Sequence, residues 1–225
     1  MHSQGDLGHV IDRGSGGIGR PYNCAHTRAC NAVNGQTSFG DCSQDSDVGV
    51  ASGSPSAERN REPIAAVLRR CLPAAGAVLE IASGTGEHVV WFAAQFPGLV
   101  FQPSDPGGTQ RGSIAAWIAA TGVENVRPPL ALDVAAPDWE TNAAIPAPLA
   151  AILCINMIHI SPWAATLGLM RGAGRLLADG GVLYLYGAYK RGGRHTAPSN
   201  AAFDASLRAQ HPDWGVRDIE MVTAE

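Results

Sequence analysis

Residues 78–88 read VLEIASGTGEH: an apolar run carrying Glu80, then small residues, with glycines at 84 and 86. A strand entering such a turn can bring backbone N–H groups close under a ligand, because glycine has no Cβ to collide. Ser83 and Thr85 add hydroxyls there. Two acids close later apolar runs. Asp105, 19 residues beyond Gly86, is placed to accept both hydroxyls of a ribose, and Asp133 ends ALDV, where an adenine amino group could donate to it. Taken singly, either acid serves as well to cap a helix or shape a turn. A fourth run, CINMIHISPW, puts Asn156, His159 and Trp163 at or beyond its end. Asn156 can hold a polar group, and His159 is a candidate base, since an ordinary imidazole titrates near neutrality.

A second glycine cluster, RGSGGIGRP, fits G-x-G-x-x-G spacing at Gly14, Gly16 and Gly19. A dinucleotide loop needs a buried strand before its first glycine and a helix after its last. The preceding LGHVIDR is short and polar, and Arg20 and Pro21 follow, so the match reads as accidental. The turn at Gly84 and Gly86 lacks a third glycine, having Val89 there, and no Gly-Lys-Ser/Thr follows. Both phosphate-cradling patterns therefore fail.

These residues need elements to hold them. The chain has 225 residues, 45% of them hydrophobic, enough for a sizeable core. Residues 1–53 are rich in Gly, Ser, Asn, Asp and Gln, and a disordered or weakly ordered leader is expected. From residue 54 helices and strands alternate. PSAERNREPIAAVLRRCL predicts a helix broken or kinked at Pro63, and AVLEIA a strand. EHVVWFAAQF predicts a helix, LVFQPSD a strand, and SIAAWIAATG a helix ending at Gly122. RPPLALDV predicts a third strand and AAILCINMIHI a long fourth one, unalternating as in the centre of a parallel sheet. A helix stopped by Gly180 and Gly181, the strand VLYLYGAY and the helix APSNAAFDASLRAQ follow. Five strands with intervening helices predict an α/β, doubly wound, mainly parallel sheet over residues 54–225. Trp91 and Trp117 are assigned to the core.

Net charge is −4, so there is no basic footprint for nucleic acid. No apolar run reaches membrane-spanning length, and no secretory signal is seen. Five cysteines in no regular framework suit a reduced, cytoplasmic protein. Cys24, His26, Cys30 and Cys42 match no zinc knuckle, and no metal is expected.

Glu80 followed by small residues and glycines at 82, 84 and 86 resembles the first motif of the class I S-adenosylmethionine (SAM)-dependent methyltransferases, with Ala82 where glycine is usual. Further segments extend the likeness: SPSAERNREPI, QPSDP, RPPLALDV, CINMIHISPW, GLMRGAGRLL, GGVLYLYGAYKRGGRHTAPSNAAFDASLR and WGVRDIE. Together they resemble the methyltransferase-like 26 family, a domain-of-unknown-function branch of class I, over about residues 54–220. The resemblance implies a Rossmann-like, SAM-binding fold without supplying a substrate. It implies SAM held by Glu80, Ser83, Gly84, Thr85, Gly86, Asp105, Asp133 and Asn156. It also implies that the helix carrying Glu58, Arg59 and Asn60 helps to close the pocket. The family continues past DIEMVTAE into a helix and a strand pair. Five strands instead of seven predict a C-terminally truncated sheet whose last strand has an unpaired edge.

Asn156 and His159 are the candidate catalytic residues on the acceptor side. Arg59, Asn60, Trp163, Tyr189, Lys190, Arg191 and His195 are candidate substrate contacts. YKRGGRHTAPSN is a basic, glycine-flexible loop that could close on an acidic substrate or could simply be a solvated surface loop. The function expected is SAM-dependent methyl transfer to a small-molecule acceptor. A non-catalytic SAM-binding or interaction module and an NAD-dependent oxidoreductase stay open, though Val89 and the lack of a Tyr-x-x-x-Lys set speak against the latter. The acceptor and the oligomeric state are not readable from the chain.

Overall fold

The computed structural model describes residues 9–12, 51–53 and 55–225. The glycine cluster at 14–19 and Cys24, His26, Cys30 and Cys42 lie outside the described residues. In chain order the elements are β1 (His9–Asp12), α1 (Pro55–Cys71), β2 (Gly76–Ile81), α2 (Glu87–Gln95), β3 (Leu99–Pro103) and α3 (Gly108–Thr121). A 3₁₀ turn, Trp139–Thr141, leads to β4 (Leu149–Ile155), α4 (Trp163–Leu176) and β5 (Leu177–Tyr186). Then come β6 (Tyr189–Arg191), β7 (Arg194–His195), α5 (Pro198–Gln210), β8 (Arg217–Asp218) and α6 (Ile219–Thr223).

The main sheet runs β1-β5-β4-β2-β3. Strands β2 to β5 are parallel, and β1 joins β5 antiparallel. The chain leaves β2 for β3 on one side and returns to β4 and β5 on the other. The order therefore reverses between β2 and β4, and a crevice opens outside their C-terminal ends, where sheets of this kind bind ligands. Both faces of the sheet are covered, which is why its strands read as unbroken apolar runs. Leu79, Ile81, Ile152, Cys154, Leu183 and Leu185 pack under α4, while Val78, Leu153, Val182 and Tyr184 pack under α1 and α2.

The α/β, mainly parallel architecture follows the sequence reading, but its details differ in five places. α1 runs unbroken through Pro63, because Pro63 and Arg59, whose carbonyl loses the helical bond, both lie on the exposed face. RPPLALDV does not form a strand. Pro128 and Pro129 supply no N–H, and only Phe101↔Val126 and Ser104↔Leu130 remain as isolated parallel bridges beside β3. β4 ends at Ile155, where Asn156 turns into the left-handed region with φ 63°. α4 ends at Leu176 rather than at the glycines, and Asp179–Gly181 belong to β5.

The fifth difference concerns the edge of the sheet. His9–Asp12, in the segment expected to be unstructured, pairs with Val182–Leu185 and covers the backbone of β5 that was expected to be open. A separate small sheet, β7-β6-β8, follows β5 and carries the basic loop. No helix among the described residues is long and apolar enough to cross a membrane.

Candidate functional site

The glycine turn stands at the C-terminal end of β2, on the crevice. Ala82, Gly84 and Gly86 all have positive φ, of 53°, 56° and 93°. At Gly86 a Cβ would lie 2.8 Å from the Ile114 backbone, so this position needs glycine for both conformation and space. Ala82 adopts the left-handed conformation without glycine's freedom, a local strain of the kind found at binding sites.

Asp105 holds this turn. Its two carboxylate oxygens accept from Gly84 N at 3.0 Å and Gly107 N at 2.9 Å, tying the turn to the start of α3. Each oxygen keeps a further lone pair free to accept. Ser83 N donates to Ser104 O at 2.8 Å, and the Ser104 hydroxyl donates to Glu80 O at 2.8 Å. The Glu80 side chain lies beneath the turn, 2% exposed, and its Oε2 is buried with no hydrogen-bond partner. Burial, opposed by the Ser83 hydroxyl and helped by the Asp105 charge, pushes this carboxyl up to about 7. An acid kept next to a ligand crevice with an unsatisfied oxygen is arranged to receive a donor or a cation.

Ser113, which sequence reasoning did not single out, braces the turn from α3. Its hydroxyl donates to Thr85 O at 2.8 Å and accepts from Ser52 N at 3.0 Å, while the Trp117 indole donates to Ser52 O. On the opposite flank, Asn60 Oδ1 lies 2.7 Å from His88 Nε2. Burial and the nearby Arg61 push His88 down to about 4, so the ring is neutral and its Nε2–H donates to Asn60. Residues 51–60 thus contact both α3 and α2 at the end of the sheet where the glycine turn stands. Ser113→Ala removes two of these contacts and is expected to cost about 1 kcal/mol, read by urea denaturation. An unchanged midpoint would show that the brace contributes nothing. Arg59 is exposed and Thr85 half-buried. Asp133 is exposed and accepts from Ala135 N at 2.9 Å, so in this structure it shapes its own turn.

Across the crevice, Asn156 N donates to Tyr186 O at 2.8 Å, which sets the half-buried side chain at the strand end. His159 lies against Gly187, where a Cβ would come within 3.0 Å of the imidazole and 3.8 Å of Asn156 Oδ1. The Phe203 ring meets His159 edge-on at 5.2 Å, and His159 O accepts from Gly215 N. The imidazole is 4% exposed, and burial together with the Arg217 guanidinium pushes it down to about 4. That corrects the expectation of a base poised near neutrality: His159 stays neutral and can accept a hydrogen bond, but it is a weak proton acceptor. Trp163 is half-buried beneath Arg217, whose guanidinium carbon sits 5.9 Å from the ring centroid.

The basic loop also needs correction. Tyr189 is 1% exposed and belongs to the core. Lys190 Nζ and His195 Nε2 reach Asp204 Oδ2 at 3.0 and 3.3 Å, and Arg208 reaches Oδ1 at 3.1 Å. Asp204, another residue the sequence reading passed over, also accepts from Val216 N at 2.8 Å. These side chains close on an internal acid rather than on the crevice. Of the basic residues of this loop, Arg191 and Arg194 are exposed, at a hairpin tip whose Gly192 and Gly193 amides donate to Glu220 and Asp218. Among the described residues, no group of three or more His, Cys, Asp or Glu is gathered to hold a metal.

Known proteins resemble this arrangement at two levels. The solved structure of an O-methyltransferase family protein from Burkholderia thailandensis superposes with a TM-score of 0.62 at 18% identity, covering 75% of this chain and 50% of that one. The S-adenosylmethionine-dependent methyltransferase SibL gives 0.51 at 22%, covering 73% and 50%. CalO1, a methyltransferase of calicheamicin biosynthesis solved with S-adenosylhomocysteine (SAH) bound, gives 0.53 at 15%, covering 73% and 47%. The chain spans about half the length of these proteins, and at such identities the likeness is one of fold. At the level of sequence, residues 51–225 match the family described as "Protein of unknown function (DUF938)". With more than three quarters of its residues inside that match, the chain belongs to the DUF938 family.

Proposed function

We propose that this chain is a SAM-dependent methyltransferase acting on a small-molecule acceptor, with closer kinship to the methyltransferase-like 26 branch. The observation that carries the reading is the buried Glu80 carboxyl, with its unpartnered oxygen, under a glycine turn clamped by Asp105. The residues present fit the cofactor. Gly84 and Gly86 give backbone access, Asp105 offers its spare lone pairs to ribose hydroxyls, and Glu80 faces a site where a cation would satisfy it. SAM, when bound, supplies an electrophilic methyl group on a sulfonium.

The chain's own part is positioning. Asn156 orients the acceptor at the end of β4, and the neutral His159 accepts a hydrogen bond from its nucleophile. Phe203 and Gly187 keep water from the imidazole, which is almost wholly buried. Ser83 and Thr85 line the turn. The free thiols of Cys71 and Cys154 accord with a cytoplasmic setting. A non-catalytic SAM-binding module is the second reading, and the weak basicity of His159 is what favours it.

Calorimetric titration with SAM, SAH and NADH tests the reading, repeated with Asp105→Ala. Micromolar binding of SAM and SAH is expected. The substitution should weaken it by about tenfold or more, because two turn amides lose their acceptor. No binding by a folded chain overturns the reading, and preferential NADH binding makes a dehydrogenase the better one. SAM binding without turnover across a broad acceptor screen favours the binding module.

A further inference from the structure

The fold gives the Arg217 guanidinium no acid. Arg217 stands in β8 beside Tyr189 of β6, just past the C-terminal end of β5. Its guanidinium lies over the Trp163 ring, and Nη2 donates to Ser161 O at 2.9 Å, both residues following the end of β4. Two residues before Arg217, Gly215 N donates to His159 O. Arg217 therefore stands on the wall that Asn156 and His159 form with Gly187, beyond the ends of β4 and β5. None of the nearby acids pairs with it. Asp204 takes Lys190, His195 and Arg208. The Asp213 carboxylate lies 4.0 Å from His211 Nδ1, and only the Asp213 backbone carbonyl accepts from Arg217. Asp218 accepts from the Gly193 and Glu220 amides. Nε of Arg217 is buried with no partner, and Nη1 bonds to nothing among the described residues. Burial and the charge of Arg208 push the guanidinium pKa down, against the pull of Asp204 and Asp213. A half-buried cation without a counter-ion is costly, and an incoming anion relieves that cost.

We propose, resting on the methyltransferase reading, that the acceptor carries a carboxylate, which pairs with the Arg217 guanidinium while its reacting group lies toward Asn156 and His159. A guanidinium edge matches a carboxylate in shape, and charge-assisted hydrogen bonds are about twice as strong as neutral ones. The Ser161 and Asp213 carbonyls and the Trp163 ring already orient the guanidinium, so little freedom is lost when the anion arrives. Two ionisable groups left unsatisfied then divide by sign: Glu80 on the cofactor side takes a cation, and Arg217 on the acceptor side takes an anion. The order β5-β4-β2 puts two strand spacings, about 10 Å, between the end of β5 and the glycine turn. That separation assigns the Arg217 site to the acceptor rather than to the carboxylate of SAM.

Two matched probes decide the matter: 3-phenylpropanoate and 3-phenylpropanamide, which differ in the terminal carboxylate. Each is titrated into the full, SAH-loaded chain and followed by ligand-observed NMR. The native chain should bind the carboxylate about tenfold or more tightly than the amide. The Arg217 Nε–H resonance, assigned by its loss in Arg217→Lys, should move with the carboxylate and stay still with the amide. Arg217→Gln should bring the two probes to about equal affinity, and Arg217→Lys should keep part of the preference. SAH affinity should change by less than about twofold in both variants. The comparison of the two probes on the native chain needs no variant to fold. Equal binding of the probes, binding of neither, or a preference that survives Arg217→Gln each overturns the proposal. So does a tenfold loss of SAH affinity in a folded Arg217→Gln chain, which would assign the guanidinium to the cofactor's own carboxylate. Failure of the native chain to bind SAM or SAH at all is a different result, one that removes the methyltransferase reading beneath it.

Discussion

Glu80→Gln is expected to stabilise the free chain above neutrality while weakening SAM binding, two opposite shifts from one atom. Burial raises the folded-state value of the Glu80 carboxyl from about 4.5 to about 7. For an acid raised in this way, the protonated form favours the fold. The contribution is fully present below the unfolded value, and it is lost as pH rises through about 7. At pH 8 the wild-type chain therefore carries a buried negative charge with one unpartnered oxygen that glutamine does not. The gain for Glu80→Gln should be of the order of 1–3 kcal/mol at pH 8 and near zero at pH 4.5, where both side chains are neutral. A cationic ligand needs the ionised form, so wild-type SAM affinity should climb with pH toward and through 7, then level off. The variant should bind SAM about tenfold to hundredfold more weakly at pH 8, with a flat pH profile. Thermal melts and calorimetry at the two pH values separate the effects. A variant that melts below wild type at pH 8 would show that Glu80 is structurally satisfied, and a pH-independent wild-type affinity would remove it from the cofactor site.

Asp204→Asn is expected to have the other large effect, because it leaves three basic side chains around a neutral amide. Burial alone would raise the Asp204 carboxyl. Its hydrogen bonds from Lys190 and Val216 N, with the charges of Lys190 and Arg208, instead hold it below the usual carboxylate range. A carboxylate depressed in the fold stabilises it above the unfolded value of about 3.9, and that contribution is lost as pH falls below it. Asp204 itself is 6% exposed, but Arg208 is half in water, which screens its share. We expect a loss of about 2–3 kcal/mol at pH 7, shrinking below pH 4. The substitution also leaves Lys190 and His195 without their carboxylate partner. Unchanged stability would mean that the basic loop is held by other contacts.

Much of this was legible along the chain. The parallel sheet shows in AVLEIA, LVFQPSD and AAILCINMIHI because a strand covered on both faces must be apolar throughout. The glycine turn shows because close backbone approach to Ile114 and positive φ at Gly86 are demands on residue type, which sequence records directly. Asp105 was legible as an acid at a strand end, suited to a ribose, while its bonds to Gly84 N and Gly107 N, which tie the turn to α3, were not.

What the chain alone did not show depends on partners remote in sequence. Asp204 looks like any mid-helix acid until α5 brings it to Lys190 and His195, which it engages within the fold. Ser113 and His88 acquire roles only through Thr85, Ser52 and Asn60, all more than 25 residues away. His159 reads as an ordinary imidazole, and only burial under Phe203 beside Arg217 lowers its basicity. Composition marked His9–Asp12 as unstructured, because four residues offer too little apolar surface to order themselves alone. The open edge of β5 supplies their backbone partners. Residue type and local spacing thus determined the sheet and the turn. Which charges are free and which polar groups are desolvated was decided by tertiary structure, because charge pairing and burial are properties of position in space.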